Sequence, residues 1–122
     1  MGRSTDEQFL HDWVIRKVHE KYSKLYSEVH INPGEENNYD YKEVYPDIVV
    51  ENYGQVVQII EVETAETINQ DRIQKWKDLS ELGVKLSLLV PKDQQNKARD
   101  ICWKGGLVAK VNIGSFDVHL DI

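Results

Sequence analysis

Only one cysteine, Cys102, stands among the 122 residues, so no intrachain disulfide can form and a reducing compartment is implied. No apolar run approaches the roughly 20 residues that a membrane helix needs. The opening stretch MGRSTDEQFL lacks the charged-then-apolar layout of a signal peptide, and the expected location is the cytoplasm. An excess of basic residues is missing as well. Fifteen Lys and Arg face 21 Asp and Glu, for a net charge of −6, which argues against a simple phosphate-coating nucleic-acid binder. It does not exclude an enzyme that holds a metal, because active-site acids add to the negative count. There is no glycine-rich phosphate loop. There is also no zinc-binding i, i+4 histidine pair: His11 and His19 are eight apart, and with His30 and His119 they read as surface or satisfied core positions. Cys102, beside Trp103, reads as buried rather than nucleophilic. What is present, 40% hydrophobic and 30% charged residues, describes a single globular domain over residues 1–122 with one real core.

The pattern along the chain predicts a helix from Ser4 to His30, capped by Ser4 or Thr5, with Asp6 and Glu7 favoured in its first turn. Leu10, Val14, Val18, Tyr22, Leu25 and Val29 form its apolar face. Glu7 projects onto that face and Glu20 nearly opposite it. Asn32-Pro33-Gly34 opens a loop, in which Tyr39 and Tyr41 form a short edge strand. YPDIVVEN and QVVQIIEVE then read as a hairpin turning at Asn52-Tyr53-Gly54, its second strand covered on both faces. A second helix spans residues 66–83, a buried strand residues 84–91, and a third helix residues 92–106. LVAKVNI and SFDVHLDI give two short final strands. This order predicts an α/β sandwich with a mixed sheet.

Three acids interrupt the apolar runs of the hairpin: Asp47, Glu61 and Glu63. Side chains alternate along a strand, so Val57, Ile59, Glu61 and Glu63 share one face, the first two in the core. A tight turn at residues 52–54 pairs residues near 48 with 59 or 60 and brings Asp47 level with Glu61. Three clustered carboxylates repel, and at least one is expected to hold a proton unless a cation intervenes. A hard divalent ion, Mg²⁺ or Mn²⁺, suits such oxygen ligands. The plainer alternative is that the two glutamates mark a strand's exit into solvent while Asp47 caps a turn.

The stretch YPDIVV…VVQIIEVET resembles the PD-(D/E)XK nuclease superfamily, whose core is a helix, a hairpin-containing sheet, a second helix and a further strand. Pro46-Asp47 stands for its PD, and Glu61-Val62-Glu63 for its (D/E)XK. The resemblance runs from the first helix to about Pro91, and is similar also to small prokaryotic nuclease-like proteins with an EVET variant. It implies a restriction-endonuclease-like three-layer sandwich, a central mixed sheet flanked by helices. It also implies a metal-dependent endonuclease acting on DNA, with Asp47, Glu61 and the Val62 carbonyl around Mg²⁺ or Mn²⁺. Glu7 is the candidate further metal ligand from the first helix, with Glu20 the weaker one. The family's lysine is replaced by Glu63, which by analogy with some active members orients water or adds a ligand. Lys75, then Arg72, are the cations of the following helix expected to supply the lysine's charge; both also fit exposed helix positions. Lys17, Lys21 and Lys24 could touch a phosphate backbone or simply face solvent, and Trp76 reads as core. Double-strand cleavage would call for a homodimer. The rival expectation is a nuclease-like binding or interaction module without catalysis.

Overall fold

The computed structural model describes residues 3–34 and 37–118. Helix α1 spans Thr5–Tyr22. Strands β1 (Glu28–Ile31), β2 (Ile48–Asn52) and β3 (Gln55–Val62) follow, then helix α2 (Ile73–Ser80), strand β4 (Lys85–Pro91), helix α3 (Gln95–Lys104) and strand β5 (Val111–Phe116). The strands form one mixed sheet in the order β1-β2-β3-β4-β5. The β1/β2 and β2/β3 pairs are antiparallel, and the β3/β4 and β4/β5 pairs are parallel. No helix among the described residues is long and apolar enough to cross a membrane.

Two apolar clusters make the domain three layers. On one face Val14 and Ile15 of α1 cover Ile48, Val50, Ile60 and Val62. On the other, Trp76 and Leu79 of α2 and Ala98, Ile101 and Cys102 of α3 cover Val49, Ile59, Leu86, Leu88 and Val90. β3 is therefore covered on both faces, as the dominance of apolar residues at both positions of its alternation predicts. The three-layer α/β sandwich expected from the element order is the fold observed.

The hairpin turns at Tyr53 and Gly54, both at positive φ (52° and 80°), the type I′ geometry that matches strand twist. Ile48 pairs with Ile60, within the expected register. A bulge corrects one expectation. Val50 pairs with Gln58 but Glu51 with Val56, so Val57 is the extra residue. Val57 is exposed and Val56 takes its place against the core.

Four other expectations change. The first helix ends at Tyr22, and Glu28–Ile31 is a strand, because β2 offers those amides a full ladder. Val29 and Ile31 then alternate onto the α1 cluster, while Leu25 is left exposed. Tyr39 and Tyr41 form no strand. A single bridge joins Tyr41 to Val44 around Lys42 and Glu43, both at positive φ. Asn32 holds this loop: its amide donates to the carbonyls of Tyr39 and Pro46, and its oxygen accepts from the Asn38 and Tyr39 amides. The second helix begins only at Ile73, after 3-10 turns at Ala65–Thr67 and Gln70–Arg72. The Asn69 side chain accepts from the Asp71 amide and keeps that segment out of the helix. The two final strands are one, β5, running through Gly114. Residues 119–122 of the expected second strand, His119 among them, lie outside the described residues.

Candidate active site

β2 begins at Ile48, whereas β3 continues past its last ladder partner, Ile60. Beyond that point Asp47 replaces the missing strand. Its Oδ2 accepts the Val62 amide at 2.9 Å, and its own amide donates to Glu61 Oε2 at 2.7 Å. The open end of the hairpin thus interlocks Asp47 and Glu61 on the face that carries Ile59 and α2. Glu61 is almost fully buried, and Lys75 from α2 reaches its Oε1 at 3.0 Å. The structure brings together Asp47, Glu61 and Lys75.

Helix α1 adds His11, a position that its spacing in the sequence does not separate from a surface or satisfied core histidine. His11 is buried, and its ring bridges two acids: Nε2 lies 3.0 Å from Asp47 Oδ2, and Nδ1 lies 2.9 Å from Asp12 Oδ1. Gln8 and the Gly34 amide both donate to Asp12. Asp12 thereby orients the histidine and ties the Asn32–Gly34 turn to α1. His11 lies one helical turn after Glu7, on the same side of the helix, and that spacing was the available signal.

Glu7 itself is elsewhere. Its Oε1 accepts the Glu66 amide at 3.1 Å, while the Ser4 amide donates to Glu66. The pair docks the start of α1 on the 3-10 turn after β3. Glu20 is exposed and pairs with Lys17.

Glu63 is buried and its two oxygens are fully engaged. Oε1 accepts from Thr67 Oγ1 at 2.7 Å and from Arg3 Nη2 at 3.2 Å; Oε2 accepts the Trp76 indole at 2.8 Å. Trp76 is core, as expected, with its N–H anchored on this acid. The Arg3 guanidinium also donates to the Val62 carbonyl at 3.1 Å and to Thr64 Oγ1 at 2.9 Å. A carboxylate with three donors has little capacity left to bind a metal or take a proton from water.

Beside Asp47 a polar cleft of about 200 Å³ opens, lined by Arg3, Arg72 and Lys75 as well as His11 and Asn32. The Arg72 backbone amide donates to the Asn69 carbonyl, but its side chain forms no hydrogen bond or ion pair among the described residues, so the guanidinium is available to a ligand. Three cations therefore line the cleft of a chain that is acidic overall. Lys17 and Lys21 are exposed on α1, and Lys24 is exposed in the turn that follows it.

The acids behave as a crowded pair. Burial, then the charge of Asp47, pushes the Glu61 carboxyl up to about 7 from its ordinary 4.5, against the pull of Lys75. For His11, burial pulls the pKa down, but the hydrogen bond and charge of Asp47 and the hydrogen bond to Asp12 outweigh it, and the net shift is upward. Both shifts have the same consequence for stability. Between pH 4.5 and 7 the unfolded chain has released a proton that folded Glu61 keeps, so stability falls as pH rises. His11 contributes stability that is complete below its unfolded pKa of 6.5 and is lost as pH rises through its higher folded value. Urea denaturation is expected to show a less stable protein at pH 8 than at pH 5, by an amount of the order of 2 kcal/mol. Asp47→Asn should flatten the slope. A profile that is flat or rises with pH would refute this coupling.

The donor set fits a hard divalent cation. Asp47 and Glu61 offer carboxylate oxygens side by side, and Asp47 Oδ1 accepts no hydrogen bond from the described residues. Glu61 is buried beside a like charge, and its one ion-pair partner among the described residues is the Lys75 ammonium, a place that Mg²⁺ or Mn²⁺ would share. Comparisons with protein-family models, with curated proteins and with solved structures found no match.

Proposed function

We propose that this chain is a metal-dependent nuclease that hydrolyses phosphodiester bonds in DNA. The observation that carries the reading is the meeting of Asp47, Glu61 and Lys75 at the open end of the hairpin, beside a cleft with an unpaired arginine. The order helix, three strands, helix, strand agrees with the resemblance to PD-(D/E)XK nucleases. A domain this small offers little surface to a duplex, so a homodimer in the cytoplasm is the form we expect to act on both strands.

Asp47 and Glu61 would hold Mg²⁺ or Mn²⁺, with Val62 contributing its carbonyl once Arg3 is displaced. A bound cation of this kind lowers the pKa of water and offsets charge on the phosphate. His11 holds Asp47 in one orientation, itself fixed by Asp12. Lys75 takes the role of the lysine that the motif lacks. Lys75 lies on Glu61 Oε1, and with a cation held by that acid its ammonium would be free to donate to the phosphate undergoing attack. Arg72 contacts the neighbouring phosphate. Glu63 is a positioning residue that holds Arg3, the turn at Ala65–Thr67 and Trp76.

A second reading, a nuclease-like binding module, draws support from Arg3 on the Val62 carbonyl and Lys75 on Glu61. There the chain's own cations answer the acids without a metal. One assay separates the two. Supercoiled plasmid and single-stranded DNA are incubated with the protein in Mg²⁺, in Mn²⁺ and in chelator. The nuclease reading expects cation-dependent nicking that Asp47→Ala reduces to background. Wild type that cuts no more than this variant under every condition leaves the binding module.

A further inference from the structure

On β2, Glu51 lies four residues from Asp47, about 13 Å along the strand. It forms part of a second cluster, built on the edge strand. Glu28 of β1 is the direct cross-strand partner of Glu51. Like charges in that arrangement destabilise a sheet. No Lys or Arg among the described residues forms an ion pair with either glutamate; the ion-pair partner of both is His30.

The geometry around His30 is unusual for a simple ion pair. One atom, Nε2, faces both acids: it contacts Glu51 Oε2 and lies 3.3 Å from Glu28 Oε2. A single N–H cannot serve two carboxylates well, and one charge stays uncompensated. These three groups each present a ligating atom, all within 4.8 Å of one another. The imidazole is held in that aim by Tyr39, stacked on it with ring centroids 3.7 Å apart and planes 5° from parallel. The Tyr39 hydroxyl donates to Glu51 Oε2 at 2.8 Å. A donor behind a ligating carboxylate is the arrangement that orients metal ligands in built sites.

We propose that Glu28, His30 and Glu51 bind a Zn²⁺-class divalent transition metal. One nitrogen and two carboxylate donors suit a borderline ion better than Mg²⁺, and three protein ligands leave a position for water. The ion replaces the proton on Nε2 and neutralises the cross-strand pair. It also joins β1, β2 and the Tyr39 loop. This site is independent of the acids beside the cleft and does not rest on the nuclease reading.

The test is calorimetric titration of the full metal-free chain with Zn²⁺. A Zn²⁺ site separate from any at the cleft acids is expected, abolished in His30→Gln and strongly weakened in Glu51→Gln. Tyr39→Phe should weaken it about tenfold by removing the outer donor. Circular dichroism checks that each variant folds. Glu28→Gln, at an exposed position, keeps the test decisive should the changes at the half-buried positions unfold the chain, and it should also lose affinity. The proposal is overturned if wild type takes up no Zn²⁺, or if Glu28→Gln and His30→Gln take it up as tightly as wild type. It is equally overturned if only Asp47→Asn abolishes uptake.

Discussion

Glu63→Lys, which writes the usual nuclease lysine back into the motif, is expected to unfold the protein rather than activate it. Glu63 is 1% exposed and accepts hydrogen bonds from Arg3, Thr67 and Trp76. A lysine there would set an ammonium against the Arg3 guanidinium and leave the Trp76 indole with no acceptor. Breaking a buried ion pair by removing one partner costs about 3–5 kcal/mol, and an orphaned buried donor about 1–3 kcal/mol more. The sum approaches the whole stability of a typical domain. Glu63→Gln, which keeps one acceptor oxygen and the shape, should fall between. Urea denaturation followed by circular dichroism measures both. A folded Glu63→Lys protein that cuts DNA faster than wild type would show that position 63, not Lys75, is where the lysine belongs.

The second large effect is expected at Lys75. Its ammonium lies on Glu61, and the side chain is half exposed. Charge from Glu61 raises its pKa further, so it is a cation at every pH of interest. Removing a single donor aimed at developing charge lowers turnover by about 10²–10³. Lys75→Met should show that loss in single-turnover cleavage of a labelled duplex, with Lys75→Arg keeping part of the rate. Mn²⁺ affinity should hold or rise in Lys75→Met, because the lysine competes with the ion for Glu61. Turnover that stays at the wild-type level in Lys75→Met would reduce Lys75 to a surface cation that happens to meet an acid.

The hairpin was legible because three signals agreed there: apolar runs, the Tyr53-Gly54 turn, and acids at one end. Its register then followed from turn geometry alone. Strand β1 was hidden because Val29 continues the helical spacing of Val14, Val18 and Tyr22, and only its ladder with β2 decides between the periods. The bulge at Val57 left no mark, because Val56 and Val57 are the same residue type and either could face the core. Within the site, Asp47 and Glu61 were legible as acids in an apolar context. Glu63 carried the same signal, yet its three donors come from residue 3, residue 67 and residue 76, and only folding brings them to it. His11 was the reverse case. It carries the chemistry but stood alone in the sequence, because its partner Asp47 is 36 residues away.

The measurement that tests the central claim most directly is anomalous diffraction from crystals of the protein soaked in Mn²⁺. The account predicts an ion held between the carboxylates of Asp47 and Glu61, with Lys75 moved off Glu61. Crystals in which Mn²⁺ occupies other positions while Lys75 stays on Glu61 and Arg3 on the Val62 carbonyl would contradict it.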